Sequence, residues 1–305
     1  MKHKNIDKKY FDNWKEYKDL WIKFFKGLVP EWEREDPYSN ENINKMRLQD
    51  FNAIILHYGG KDTKKLTLED LKNKEKLLSN PYLWRPTGFI LDFVDRLKER
   101  LSGKKIRILD SGGGHGRDSI ALAKRGYEVT LLDRDKWKLD LAIDKAREED
   151  VEFKIRTGVC YKLPFPNNTF DVVILMLVLF TLRSIEEIEA TIKECKRVLK
   201  PGGYVIGMTM GIGTIYDDEN RLKSYIDKYK EKGYAPILLG KDQLSKLLVK
   251  YRFNLKNGIS EYRDENQPRT TYNLKFIAKL RGNNRLLHKY YSFFSLCNNS
   301  ITFFL

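Results

Sequence analysis

The residues best placed to do chemistry lie in one stretch, Ile108-Leu-Asp-Ser-Gly-Gly-Gly-His-Gly-Arg-Asp118. A short apolar strand runs into a glycine loop, and a helix follows at once. This order of elements holds a nucleotide-like ligand at the carboxyl end of a first strand. Glycine suits such a loop because it permits a tight turn and close approach of a ligand to the backbone. The spacing selects the ligand. A dinucleotide fold wants glycines at i, i+2 and i+5, and that pattern fails here because position 117 is Arg. What fits is Asp110-x-Gly112-x-Gly114-x-Gly116. A second acid, Asp133, closes Thr130-Leu-Leu-Asp133, 17 residues beyond Gly116. At that place a carboxylate can accept hydrogen bonds from both hydroxyls of a ribose.

Alternating elements must position these groups. Ile106–Asp110, Val129–Leu132 and Phe153–Arg156 read as strands. Arg117–Lys124, closed by Gly126, and Lys136–Glu149 read as the helices between them. Val172–Leu177 is apolar at every position, as a strand buried on both faces must be. Ser184 and Glu187 form a capping box for a helix that carries Ile185, Ile188, Ile192, Cys195 and Leu199. Lys200-Pro-Gly-Gly should end it, before a fifth strand at Tyr204–Thr209. Helices near Asp218–Glu231 and Asp242–Tyr251 then precede two strands, Asn254–Tyr262 and Thr271–Leu280. Strands alternating with helices of this length predict an α/β, doubly wound, mainly parallel sheet.

The glycine motif resembles the first motif of the class I methyltransferases that use S-adenosylmethionine, with a type 11-like domain. Three later segments resemble the same family in the same order. They are Lys162-Leu-Pro-Phe-Pro-Asn-Asn-Thr-Phe-Asp-Val-Val173 before strand four, Arg197-Val-Leu-Lys-Pro-Gly-Gly203 before strand five, and Asp242 to Phe253 at the last helix. The resemblance covers about two thirds of the chain. It implies a Rossmann-like fold with a seven-stranded sheet and S-adenosylmethionine as the methyl donor. Its donor-binding positions are Asp110, Gly112, Gly114, Gly116, Asp133, Arg134, Val159, Cys160 and Leu177. The reaction it implies is an in-line displacement on the sulfonium methyl, in which alignment of the reactants is the protein's main task.

Two departures from the family pattern matter. The position before Cys160, often an acid or amide that touches the adenine amino group, is Val159. The adenine is then held by the main chain at Val159 and Cys160. After strand four the chain reads Leu175-Met-Leu-Val-Leu-Phe-Thr181, with neither the acid nor the prolines of amino-group DNA methylases. That argues against N6-adenine chemistry and leaves no assigned catalytic base. His115 reads as a loop filler before a base, Asp171 as a structural carboxylate before an acid, and His57 as a core or surface residue. Asp133 has a rival role as cap of the Lys136 helix. Tyr82, Trp84 and Arg85 could cover the donor or simply pack.

The acceptor is less constrained. The chain has 57 basic and 42 acidic residues, a net +15. The excess is spread along the chain, and its lysines outnumber its arginines two to one. A small molecule is therefore the first expectation. An RNA (tRNA or rRNA) methyltransferase and a non-catalytic donor-binding scaffold are the alternatives. The longest apolar run, Val172 to Leu182, is too short to span a bilayer. No apolar segment follows the basic N-terminus, so no secretory signal is expected. Three scattered cysteines offer neither a disulfide framework nor a metal site, and they point to a reducing cytoplasm. No oligomeric state is assigned.

Three regions are expected. Residues 1–80 form a helical extension that acts as a lid or substrate cover. It carries the stripe Tyr10, Trp14, Tyr17, Trp21, Phe24 and Leu28. A second helix is expected near Ile43–Ile55 and a third after the cap Thr67. Residues 81–280 form the methyltransferase domain, and 281–305 an appended, loosely ordered tail.

Overall fold

The computed structural model describes residues 40–60, 62–101, 104–211, 237–255, 258–264 and 271–282. The Tyr10–Leu28 stripe, the Asp218–Glu231 helix and nearly all of the tail lie outside the described residues.

The chain begins with α1 (Asn40–Gly59), a 3-10 turn at Asp70–Lys72, α2 (Lys74–Leu78) and α3 (Gly88–Arg100). It continues β1 (Arg107–Ser111), α4 (Arg117–Lys124), β2 (Glu128–Asp133), α5 (Lys136–Glu148), β3 (Lys154–Thr157) and β4 (Phe170–Met176). Then come α6 (Ile185–Val198), β5 (Leu199–Met210), α7 (Lys241–Lys250), β6 (Phe253–Asn254), β7 (Ile259–Asp264) and β8 (Thr271–Leu280). The sheet runs β3-β2-β1-β4-β5-β8-β6, with β7 also paired to β8. The five strands from β3 to β5 are parallel, and β8 is antiparallel to β5. This is the expected doubly wound architecture. The strand order reverses between β1 and β4, where such sheets open a crevice at their carboxyl ends.

Two cores sandwich the sheet. Ile90, Val94 and Leu97 of α3 pack with Ile108, Val129, Val172, Ile174 and Ile206 on one face. Ile188, Ile192 and Cys195 of α6, with Leu244 and Leu248 of α7, pack on Leu109, Val173, Leu175 and Val205 on the other. Every residue from Val172 to Leu175 is fully buried, because helices cover β4 on both sides.

Several local expectations change. Among the described residues the sheet has eight strands, since the expected strand 254–262 divides into β6 and β7. Both pair with β8, and Gly258 turns left-handed between them (φ 69°). Thr67 caps only the turn that leads into the 3-10 segment: its Oγ1 accepts from the Asp70 N–H at 3.3 Å while the Asp70 carboxylate accepts from the Thr67 N–H at 2.7 Å; α2 itself is capped by Asn73, which accepts from the Lys76 N–H at 3.0 Å. Ser184 caps α6 by accepting from the Glu187 N–H at 3.2 Å. The Glu187 carboxylate, however, accepts from the Arg183 N–H and not from that of Ser184, so the box is displaced by one residue. Ile185 is half exposed, and Leu199 belongs to β5 rather than to the helix.

Candidate functional site

The glycine loop adopts the geometry that its composition allows. Gly112, Gly114 and Gly116 all have positive φ (76°, 59° and 78°), where an L side chain is strained. Gly112 also lacks room, since a Cβ there would lie 2.6 Å from Val178 Cγ2. Gly113 escaped the spacing argument. A Cβ there would lie 2.5 Å from both the Asp110 carboxyl and Leu131 Cδ1. The loop is therefore pressed onto the ends of β1 and β2. The Gly112 and Gly113 N–H groups both donate to the Leu132 carbonyl, at 2.7 and 3.2 Å.

Asp133 stands beside this loop. Its carboxylate accepts from the Gly114 N–H at 2.8 Å and, through the other oxygen, from the Asp135 N–H at 2.8 Å. Each oxygen keeps a further lone pair, and the side chain is only half-buried. The rival capping role falls to Asp135, which precedes α5 and accepts from the Trp137 N–H at 3.2 Å. Arg134 is exposed beside them.

The Gly158 N–H donates to the Asp133 carbonyl at 3.0 Å, which brings the turn after β3 to the same edge. Val159 is half-buried there and bridges to Lys162. Cys160 points away from it. Its thiol packs in the core under α6, accepts from Thr191 Oγ1 at 3.5 Å and is pushed up in pKa by burial. At the end of β4, Leu177 is half-buried with φ 56°, an unusual backbone for a leucine, and its N–H donates to the Met208 carbonyl at 2.7 Å. Non-glycine residues held in this region concentrate at ligand sites.

Asp110 lies beneath the loop, 1% exposed, and accepts from Ser119 Oγ at 2.7 Å through Oδ2. Its Oδ1 is buried with no partner. Burial, with the Asp118 charge, pushes its pKa up to about 7. His115 forms the loop's outer wall. Its Nε2 lies 2.8 Å from the Leu83 carbonyl, and its ring meets Phe51 and Trp84 edge-on. Burial lowers its pKa to about 3, so it is neutral and locked in packing. Asp171 is structural in its contacts, accepting from the Arg107 N–H at 2.9 Å and from Lys200 Nζ at 2.8 Å. His57 is half-buried against the Tyr58 ring. Of the three candidate covering residues, Trp84 donates to the Leu77 carbonyl and Arg85 lies over Tyr58; both sit within the packing of the helical segment.

How α1 seats has no signature in any local pattern. Arg47 grips Asp135 with two hydrogen bonds (2.8 and 2.6 Å) and stacks 4.5 Å from the Trp137 centroid. Lys138 reaches Asp50 at 2.5 Å. Burial opposes the Lys138 charge, but Asp50, Asp133 and Asp135 outweigh it and raise its pKa. The residue-40–84 segment thus lies against the carboxyl ends of β1 and β2.

A parallel sheet with a left-handed glycine loop after β1 and an acid at the end of β2 defines a Rossmann-like domain. Residues 109–207 match the family model described as a methyltransferase domain. Demethylmenaquinone methyltransferase of Tropheryma whipplei is 28% identical over 128 residues, 39% of this chain and 51% of that protein. The ubiquinone/menaquinone biosynthesis C-methyltransferase UbiE of Chromobacterium violaceum is 40% identical over 100 residues, 32% of this chain and 40% of that protein. The matches thus span about half or less of these curated relatives' length. A solved SAM-dependent methyltransferase from Methanosarcina mazei superposes with a TM-score of 0.51 at 22% identity, over 59% of this chain and 94% of that one. Over residues 109–207 the chain is thus similar to the class I methyltransferases. No helix among the described residues is long and apolar enough to cross a membrane.

Proposed function

We propose that the chain is an S-adenosylmethionine-dependent methyltransferase acting on a small-molecule acceptor. The observation that carries this reading is the contact between the loop and the acid, in which Gly114 donates to Asp133 beside a turn with no room for a side chain at Gly112 or Gly113. The group fits these residues. The loop would cradle its aminoacyl part, Asp133 would hold the ribose diol, and Arg134, Val159 and the Cys160 main chain would flank the adenine. Leu177 would border the reacting end. When bound, S-adenosylmethionine supplies a methyl group already activated on a sulfonium. The chain's own share is alignment and exclusion of water. The half-buried groups at the end of β4, Met176, Leu177 and Phe180, are apolar and suit an apolar acceptor. The names of the quinone-biosynthesis relatives support an aromatic, quinol-like acceptor. Near the loop, Arg47 and Lys138 are engaged by Asp135 and Asp50, which favours this reading over an RNA-binding face. Residues 1–80 serve as its cover, 81–280 as the transferase domain and 281–305 as an appended tail.

Titration calorimetry tests the donor. S-adenosylhomocysteine should bind at micromolar strength and NAD not at all. Two charge-assisted hydrogen bonds to the ribose contribute on the order of 3 kcal/mol. Asp133→Ala should therefore weaken binding roughly a hundredfold. Equal affinity in the variant would reduce Asp133 to a brace for the loop. Val159→Asp should hold donor binding within about threefold or tighten it, since the new acid can accept a hydrogen bond from the adenine amino group, a gain of about 1 kcal/mol. A collapse of affinity with the fold intact would show that this wall must be apolar.

A further inference from the structure

Asn273 sits on β8, 4% exposed, and its side-chain amide meets no hydrogen-bond partner among the described residues. It is not among the side chains whose unpartnered polar atoms are sealed from the exterior, so its amide remains reachable. A buried amide without partners is costly. It persists where something outside the fold takes its hydrogen bonds.

Its position follows from register. Leu274, Phe276 and Ala278 enter the core under α6 and α7, while Ile277 packs on the α3 face. Strand alternation therefore places Asn273 and Lys275 on the α3 face. Lys275 Nζ lies 4.6 Å from the centroid of Phe89, in the first turn of α3, which fixes this as the end of the face near the strands' carboxyl ends. Met176 pairs with Met208 and Met208 with Lys275. Met210 pairs with Asn273, two residues farther towards the carboxyl edge. Asn273 is therefore level with the glycine loop. It stands two strand spacings, roughly 10 Å, from β4. Half-buried Met210 and Tyr262 are its cross-strand neighbours.

We propose that Asn273 is the polar anchor of the acceptor site, taking a hydroxyl or carbonyl oxygen of an otherwise apolar ring whose reacting atom lies over the end of β4. This rests on the methyltransferase reading above. An amide offers both a donor and an acceptor, so it can hold such an oxygen in either form. The surrounding methionine and aromatic side chains give the ring an apolar bed.

The test uses the full, 15N-labelled chain with S-adenosylhomocysteine present and 1-naphthol as the probe. The Asn273 side-chain amide resonances, assigned by their loss in Asn273→Ala, should shift saturably as 1-naphthol is added. Asn273→Ala should weaken 1-naphthol binding about tenfold, while S-adenosylhomocysteine affinity stays within about twofold. Unmoved Asn273 resonances, or equal 1-naphthol affinity in the variant, would overturn the proposal. A chain that binds no S-adenosylhomocysteine would overturn the donor reading, and this inference with it. The resonance shift is read on the unmutated chain, so a poorly folded variant does not rescue the idea.

Discussion

Between about pH 4 and pH 7 the folded chain is expected to lose on the order of 4 kcal/mol of stability through the single carboxyl group of Asp110. Its pKa is pushed up to about 7 in the fold, from an ordinary value of 3.8. Burial is the main cause, and the neighbouring Asp118 charge adds to it. The Ser119 hydrogen bond acts the other way but does not prevail. In this window the unfolded chain has already released the proton that the folded chain keeps. The unfolded state thus binds fewer protons, and stability falls as pH rises, levelling off above pH 7. Carboxylates such as Asp135, held below their ordinary pKa by Arg47 against the effect of burial, give the opposite slope at lower pH. Comparison with Asp110→Asn isolates the effect. The variant keeps an oxygen to accept from Ser119 but cannot ionise. Urea unfolding at pH 5 and pH 8 should show the variant gaining on the unmutated chain by several kcal/mol at the higher pH. A constant difference between them would mean that the Asp110 carboxyl is charged at both. Because Gly113 presses directly on this carboxyl, donor affinity should follow the same titration.

The parts of the site set by local backbone chemistry were legible in the sequence. Glycines at 112, 114 and 116 are where the chain needs left-handed residues. Asp133 follows an apolar strand and faces the loop, as its distance from Gly116 suggested. Gly113 was invisible to that reasoning because its need arises from Leu131 and Asp110 pressing from below, a packing fact with no spacing rule. Asp133 and Asp135 were equally acceptable caps by residue type, and only the positions of the Trp137 and Gly114 N–H groups separate them. Cys160 had the right place in the chain but turns its thiol into the core. Asn273 looked like any polar residue in a strand. Its burial depends on which strands flank β8, a long-range pairing that no local pattern encodes.

Phe51→Ala should destabilise the chain by about 3–5 kcal/mol, the range for a fully buried phenylalanine reduced to alanine. Phe51 is 0% exposed, although it lies on α1, outside the sheet and its two covering layers. With Ile55, Leu66, Leu71, Leu77 and Leu83 it forms a third core that closes on Leu141 and Trp137 of α5. Its ring lies 5.0 Å from His115 and 6.0 Å from Trp137, so it wedges between the glycine loop's outer wall and the start of α5. Arg47 and Lys138 tie the same helix to the β2 edge on either side of it. The Lys138–Asp50 pair is open on its Asp50 side and contributes about 1 kcal/mol or less, and the largely buried, bidentate Arg47–Asp135 pair on the order of 2 kcal/mol; the phenylalanine is the largest single tie of α1. Loss of the ring should also loosen His115, and with it the loop, so S-adenosylhomocysteine should bind more weakly in the variant at temperatures where it remains folded. Arg47→Ala is the counterpart, with a smaller stability loss, on the order of 2 kcal/mol, and donor affinity lowered only a few fold. If Phe51→Ala unfolds within 1 kcal/mol of the unmutated chain and binds the product equally well, α1 is an arm resting on the domain. A loss of the expected size would make it a wall of the donor site, beside the glycine loop, whose position depends on one aromatic ring.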